Sequence, residues 1–139
     1  MKAENQMRAI LGTETTIYIG KKRIIDSISP NSTLAVVVED DGQSAYFYGL
    51  PTAQEGNSIL DALQIYNVQQ VLDTHHLAKL TIIWSADGLK PALLINDYPH
   101  AVVDFEAQRA YCRTNFPPAD KRWANNRHEW DDSAIEWFI

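Results

Sequence analysis

Residues 58–72, Ser58-Ile59-Leu60-Asp61-Ala62-Leu63-Gln64-Ile65-Tyr66-Asn67-Val68-Gln69-Gln70-Val71-Leu72, decide how the chain folds. Ile59, Leu60, Leu63 and Tyr66 recur at the spacing of one helical face. Ser58 with Asp61 three residues on resembles a capping box, with Asp in place of the usual Glu. The pattern predicts a helix from Ile59 to about Tyr66, with continuation through Val71 and Leu72 left open.

On either side of it the chain has β character. Upstream, Thr15 to Ile19 are β-branched or aromatic. Gly20-Lys21 interrupts that run and Lys22 to Ile28 resumes it, which reads as a tight hairpin. Thr33 to Asp40 and Gln43 to Leu50 flank Asp41-Gly42, a dipeptide that favours a type I′ hairpin turn. Tyr46, Phe47 and Tyr48 stand in a row, so one of the three faces the opposite side of the sheet from its neighbours. Downstream, strands are expected at Leu80 to Ser85, Pro91 to Asn96, His100 to Phe105 and Arg109 to Thr114. Turns fall at Ala86 to Leu89, Asp97 to Pro99 and Glu106 to Gln108. Phe116-Pro117-Pro118 ends the meander, and residues 119–130 read as a polar tail carrying Trp123 and Trp130. Ser133 and Glu136 repeat the capping pattern, predicting a short C-terminal helix from Ala134. The expected fold is therefore α+β: antiparallel meanders, one central helix covering a sheet face, and a short C-terminal helix.

The chain has 139 residues, the size of one domain, and no internal repeat or charge boundary divides it. Its 12 basic and 18 acidic side chains leave a net charge of −6, which disfavours phosphate backbones and favours a basic protein partner. The single cysteine, Cys112, excludes an intrachain disulfide. Met1 to Ile10 lacks the apolar stretch of a signal peptide. Apolar runs such as Leu34 to Val38 fall far short of the roughly 20 residues that span a bilayer. A cytoplasmic protein without membrane or nucleic-acid partners is expected.

Ligand-type side chains cluster in three places. Glu39, Asp40 and Asp41 lack the spacing of a calcium loop, and the hairpin turn explains Asp41. His128, Glu129, Asp131 and Asp132 match no zinc spacing, and the two aspartates suit a helix start. Cys112 with His100 or His128 would form a nucleophilic pair, but a strand cysteine usually serves as a small hydrophobe. No phosphate-loop, dinucleotide or nucleophile-elbow motif occurs. No cofactor or metal is expected. Arg109, Arg113, Arg122 and Arg127 lie near the tryptophans, a composition shared by interface hot spots and by core edges.

Glu39-Asp40-Asp41-Gly42 with Tyr46-Phe47-Tyr48, Ile59-Leu60-Asp61-Ala62-Leu63 with Ile65-Tyr66-Asn67-Val68, and Trp84-Ser85-Ala86-Asp87-Gly88-Leu89-Lys90 through Asn96 carry a resemblance. So does Phe105. From about Ala35 to its C-terminus the chain resembles a family of small bacterial proteins known as a domain of unknown function. The resemblance implies a bacterial source and one domain, and brings no activity, cofactor or catalytic residue.

Two functional classes follow. The first is a non-enzymatic interaction protein, in its most specific form an immunity-type inhibitor of a basic toxin, with Glu39, Asp40, Asp131, Asp132, Trp123 and Arg127 as its candidate surface. The second is a small ligand-binding domain or enzyme using His100 or His128 with nearby carboxylates.

Overall fold

The computed structural model describes residues 9–52, 59–71, 77–114 and 128–138. In chain order they form β1 (Ile10–Tyr18), β2 (Arg23–Ile28), β3 (Leu34–Asp40), β4 (Ser44–Pro51), β5 (Asp61–Asn67), a 3₁₀ turn (Val68–Gln70), β6 (Leu77–Trp84), β7 (Pro91–Ile95), β8 (Tyr98–Asp104), β9 (Arg109–Cys112), β10 (His128–Glu129) and a 3₁₀ segment (Asp132–Phe138). One sheet has six strands in the order β1-β6-β7-β8-β9-β10, the other four in the order β2-β3-β4-β5. All pairings are antiparallel except β9 with β10.

The expected α+β architecture is wrong: the central helix is strand β5. Leu63 and Ile65 point into the core with Asp61, while Ala62 and Gln64 are half-buried on the other face. That is period two rather than 3.6. A bulge opposite Ala45/Tyr46 then turns Tyr66 inward as well, which is why Leu63 and Tyr66 mimic a helical face. The C-terminal helix is likewise replaced by the 3₁₀ segment. Its start is capped by Asp131, whose Oδ1 accepts from Ser133 N at 2.9 Å and whose carbonyl accepts from Ala134 N at 3.0 Å.

β1 and β2 are not a hairpin. Each pairs with a different sheet, so Gly20-Lys21 is a corner where the chain crosses from one layer to the other. The two strands are joined there by side chains: Thr13 Oγ1 donates to Asp26 O at 2.8 Å and Arg23 Nη1 to Thr16 O at 3.3 Å. The β3–β4 hairpin exists, but its connection is three residues long, with Asp41 N donating to Ser44 O and a positive φ at Gly42 (98°) and not at Asp41. The type I′ geometry falls instead between β7 and β8, at Asn96 (φ 51°) and Asp97 (φ 68°). Phe47 is the inward member of the aromatic triplet.

The core lies between the sheets. Val36, Val38, Phe47 and Leu63 of the four-stranded sheet meet Leu80, Ile82, Trp84, Leu93 and Val103 of the six-stranded one. Trp84 Nε1 crosses the layer to Ser27 Oγ at 2.9 Å. Gly12 leaves room for that contact, since a Cβ there would sit 2.3 Å from Ser27 Oγ. A smaller cluster on the outer face of the six-stranded sheet joins Ala92, Val102 and Tyr111 to Ala134, with Trp130 and Phe138 packed against it. The 3₁₀ segment thus covers that face in the way the central helix was expected to cover one.

Candidate functional site

Three polar constellations arise from this architecture. The first closes the open side of the sandwich between β5 and β9/β10. Asp61 faces inward at the start of β5, opposite Gly49. His128 opens β10 with φ 58° and places Nε2 2.7 Å from Asp61 Oδ2. Both side chains are 1% exposed. Beside them Thr114 Oγ1 (2.6 Å) and Cys112 Sγ (3.0 Å) donate to Gln64 O. A histidine–carboxylate pair is ordinarily the core of acid–base chemistry, but this one is sealed inside a seam. It acts here as a strut, satisfying a carboxylate that would be costly to bury alone. Cys112 is buried in the same seam.

The second constellation organises one end of the sandwich. Asp40 is 2% exposed, because it ends β3 facing inward. Its carboxylate accepts from Gly20 N (2.7 Å), Gly42 N (2.8 Å) and Tyr66 OH (2.5 Å), tying the β1–β2 corner, the β3–β4 turn and β5 together. Burial first, and the bond to Asp40 second, push the Tyr66 hydroxyl far above the usual phenol range. Asp40, expected on an interaction surface, is therefore an internal fastener. Glu39, on the outer face, is half-buried and accepts from Tyr48 OH at 3.1 Å.

The third lies outside, where β8, β9 and the C-terminal segment meet. The Arg113 guanidinium sits 4.0 Å from the Trp130 ring centroid and 4.4 Å from that of Tyr98. Its Nε donates to Pro99 O at 2.7 Å. His100 packs edge-on against Tyr98, with centroids 5.6 Å apart. Burial, and then the charge of Arg113, hold the His100 pKa below its ordinary value. Glu129, Asp131 and Asp132 are exposed around Trp130, whose Nε1 donates to Asp132 Oδ1 at 2.6 Å. The Ser133 N–H holds the Asp131 carboxyl below the usual carboxylate range. The sequence brings Asp131 and Asp132 to this patch, while Trp123 and Arg127 lie outside the described residues. Tyr98 and Arg113 were not singled out together, because the sheet register that makes them neighbours is not written in their spacing.

A fourth charged group is structural. Lys90, nearly buried, bonds Asp87 (3.0 Å) and Glu106 (3.2 Å) and pins the β6–β7 turn to the β8–β9 turn. Burial opposes its charge, but those carboxylates outweigh it and keep its pKa above the ordinary lysine value. Among the described residues, no group of three or more His, Cys, Asp or Glu side chains converges as a metal site would. Nor is any helix among them long and apolar enough to cross a membrane.

Fold and surface together define a small all-β, two-sheet sandwich domain bearing an arginine–aromatic patch edged with carboxylates. The chain belongs to the bacterial family described as "Uncharacterized protein conserved in bacteria (DUF2251)", which it matches over residues 17–139. A relative from Haemophilus influenzae (strain ATCC 51907 / DSM 11121 / KW20 / Rd), bearing the name "Uncharacterized protein", is 37% identical over 133 residues, covering 93% of this chain and 81% of its own. No solved structure matches.

Proposed function

We propose that this protein is a non-enzymatic binding domain that holds a basic protein partner on the patch centred on Arg113. Inhibition of a basic toxin is the most specific form of that reading. The observation that carries it is the stack of Tyr98, Arg113 and Trp130 with Glu129, Asp131 and Asp132 beside it. Tyr, Trp and Arg are the side chains that dominate interface energetics, because each offers a large, stiff contact area and a polar handle. Stacking between two rings holds the guanidinium in place before binding, which reduces the ordering cost of association. The net charge of −6 adds attraction for a basic surface. The histidine–carboxylate pair supports the enzymatic alternative less well, since a substrate would have to enter the seam to reach it.

The test uses a partner recovered from the native host. Arg113→Ala and Tyr98→Ala should each weaken binding by roughly 30-fold or more, chiefly by faster dissociation. Asp132→Lys should slow association, and rising salt should slow the unmodified protein in the same way. Unchanged affinity in both alanine variants, with association indifferent to salt, would remove the proposal.

A further inference from the structure

At the corner between β1 and β2, Lys21, Lys22 and Arg23 line a cavity of about 380 Å³, walled on its apolar side by Tyr18 and Leu77. That volume suits a small molecule. Among the described residues none of the three cations makes an ion pair, although the chain as a whole is acidic. Asp41, which feels the charge of Lys22, turns its carboxylate into its own loop and accepts from Gln43 N and Ser44 N.

The cavity rests on a fixed backbone. Gly20 (φ 92°) donates to buried Asp40, and Lys21 N donates to Tyr18 O at 3.1 Å. Arg23 is positioned by bonds to Thr16 O (3.3 Å) and Thr15 Oγ1 (3.4 Å). Lys21 Nζ stands 6.0 Å from the Tyr18 ring centroid, so charge and aromatic surface adjoin. Three neighbouring cations that make no ion pair among the described residues suit a dianion, and arginine beside two lysine ammoniums is the usual equipment for phosphate.

We propose that this cavity binds a small organic phosphate, with the phosphate on Lys21, Lys22 and Arg23 and the organic body against Tyr18 and Leu77. The site is separate from the Arg113 patch: Tyr18 on β1 and Tyr98 on β8 have strands β6 and β7 between them, roughly 14 Å at ordinary strand spacing.

The experiment is an amide chemical-shift titration of the labelled protein at constant ionic strength with phenyl phosphate, inorganic phosphate and phenol. Phenyl phosphate should give saturable shifts at Tyr18 to Arg23 and Leu77, tighter than inorganic phosphate, and phenol should give none. Lys21→Ala with Lys22→Ala should weaken binding by roughly tenfold or more, and Lys21→Arg with Lys22→Arg should retain it. Lys21 and Lys22 are exposed, and melting curves matching the parent's would establish that both double variants fold. No saturable shift, the same shifts from sodium chloride, equal affinity for inorganic phosphate, or an alanine pair that binds normally would each overturn the proposal.

Discussion

Removing one half of the Asp61–His128 pair deletes a bond between two side chains that are each 1% exposed. His128→Ala should therefore cost about 3 kcal/mol or more, measured by urea unfolding. The double variant with Asp61→Ala should cost less than the sum of the two singles, because their effects are coupled. A loss under about 1 kcal/mol for His128→Ala would show that the seam does not depend on this contact. His100 supplies a pH dependence. Its pKa lies below 6.5 in the folded protein, owing to burial and then to Arg113. On acidification the unfolded chain takes up this proton first, so stability falls as pH drops through 6.5 and levels off once the folded form protonates too. His100→Gln should flatten the pH dependence of the melting temperature in that window. A slope identical to that of the parent would assign it to other groups. None of these roles was legible at single positions. Asp61 reads as part of a capping box, and its partner lies 67 residues away. Asp40 reads as one of three exposed acids, and only its inward register on β3 reveals it as a fastener.

At the scale of elements, the strands were legible because alternation and turn residues are local signals. Every expected strand is present, with boundaries shifted by a few residues. β5 misled because its bulge and inward Asp61 break the alternation, leaving a short apolar run that fits either period. As an edge strand whose ladder partner among the described residues is β4 alone, β5 should protect alternate amides from hydrogen exchange between Asp61 and Tyr66. Uniform protection along the segment would contradict that pairing. Missing β10 has a different cause: two residues are too short to register, and parallel pairing with β9 is a long-range event. The turns separate two effects of a missing Cβ. At Gly42 a Cβ meets no heavy atom closer than 3.7 Å, so Gly42→Ala pays only for its positive φ, about 1 kcal/mol. At Gly88 a Cβ would stand 1.6 Å from Asn31 Oδ1 and 2.6 Å from Ser29 Oγ, so Gly88→Ala also displaces the bonds joining the β2–β3 and β6–β7 turns. Gly88→Ala should melt several degrees lower than Gly42→Ala. Equal melting temperatures would contradict that ranking.

For the whole molecule, a net charge of −6 hides a strongly uneven surface. Lys21, Lys22 and Arg23 crowd one corner, while Glu129, Asp131 and Asp132 edge the arginine–aromatic patch. Composition therefore indicates the sign of an average partner but not where any partner would sit. The patch around Arg113 is the docking site proposed for a protein partner. Its most direct test places a photo-crosslinking amino acid at Tyr98, 53% exposed, and as a control at Ile24, 66% exposed on the other sheet, in cells of the native host. A discrete adduct with one basic protein is expected from Tyr98, abolished when Arg113→Ala is added, with no such adduct from Ile24. No adduct at Tyr98, or the same adduct from both positions, would contradict it.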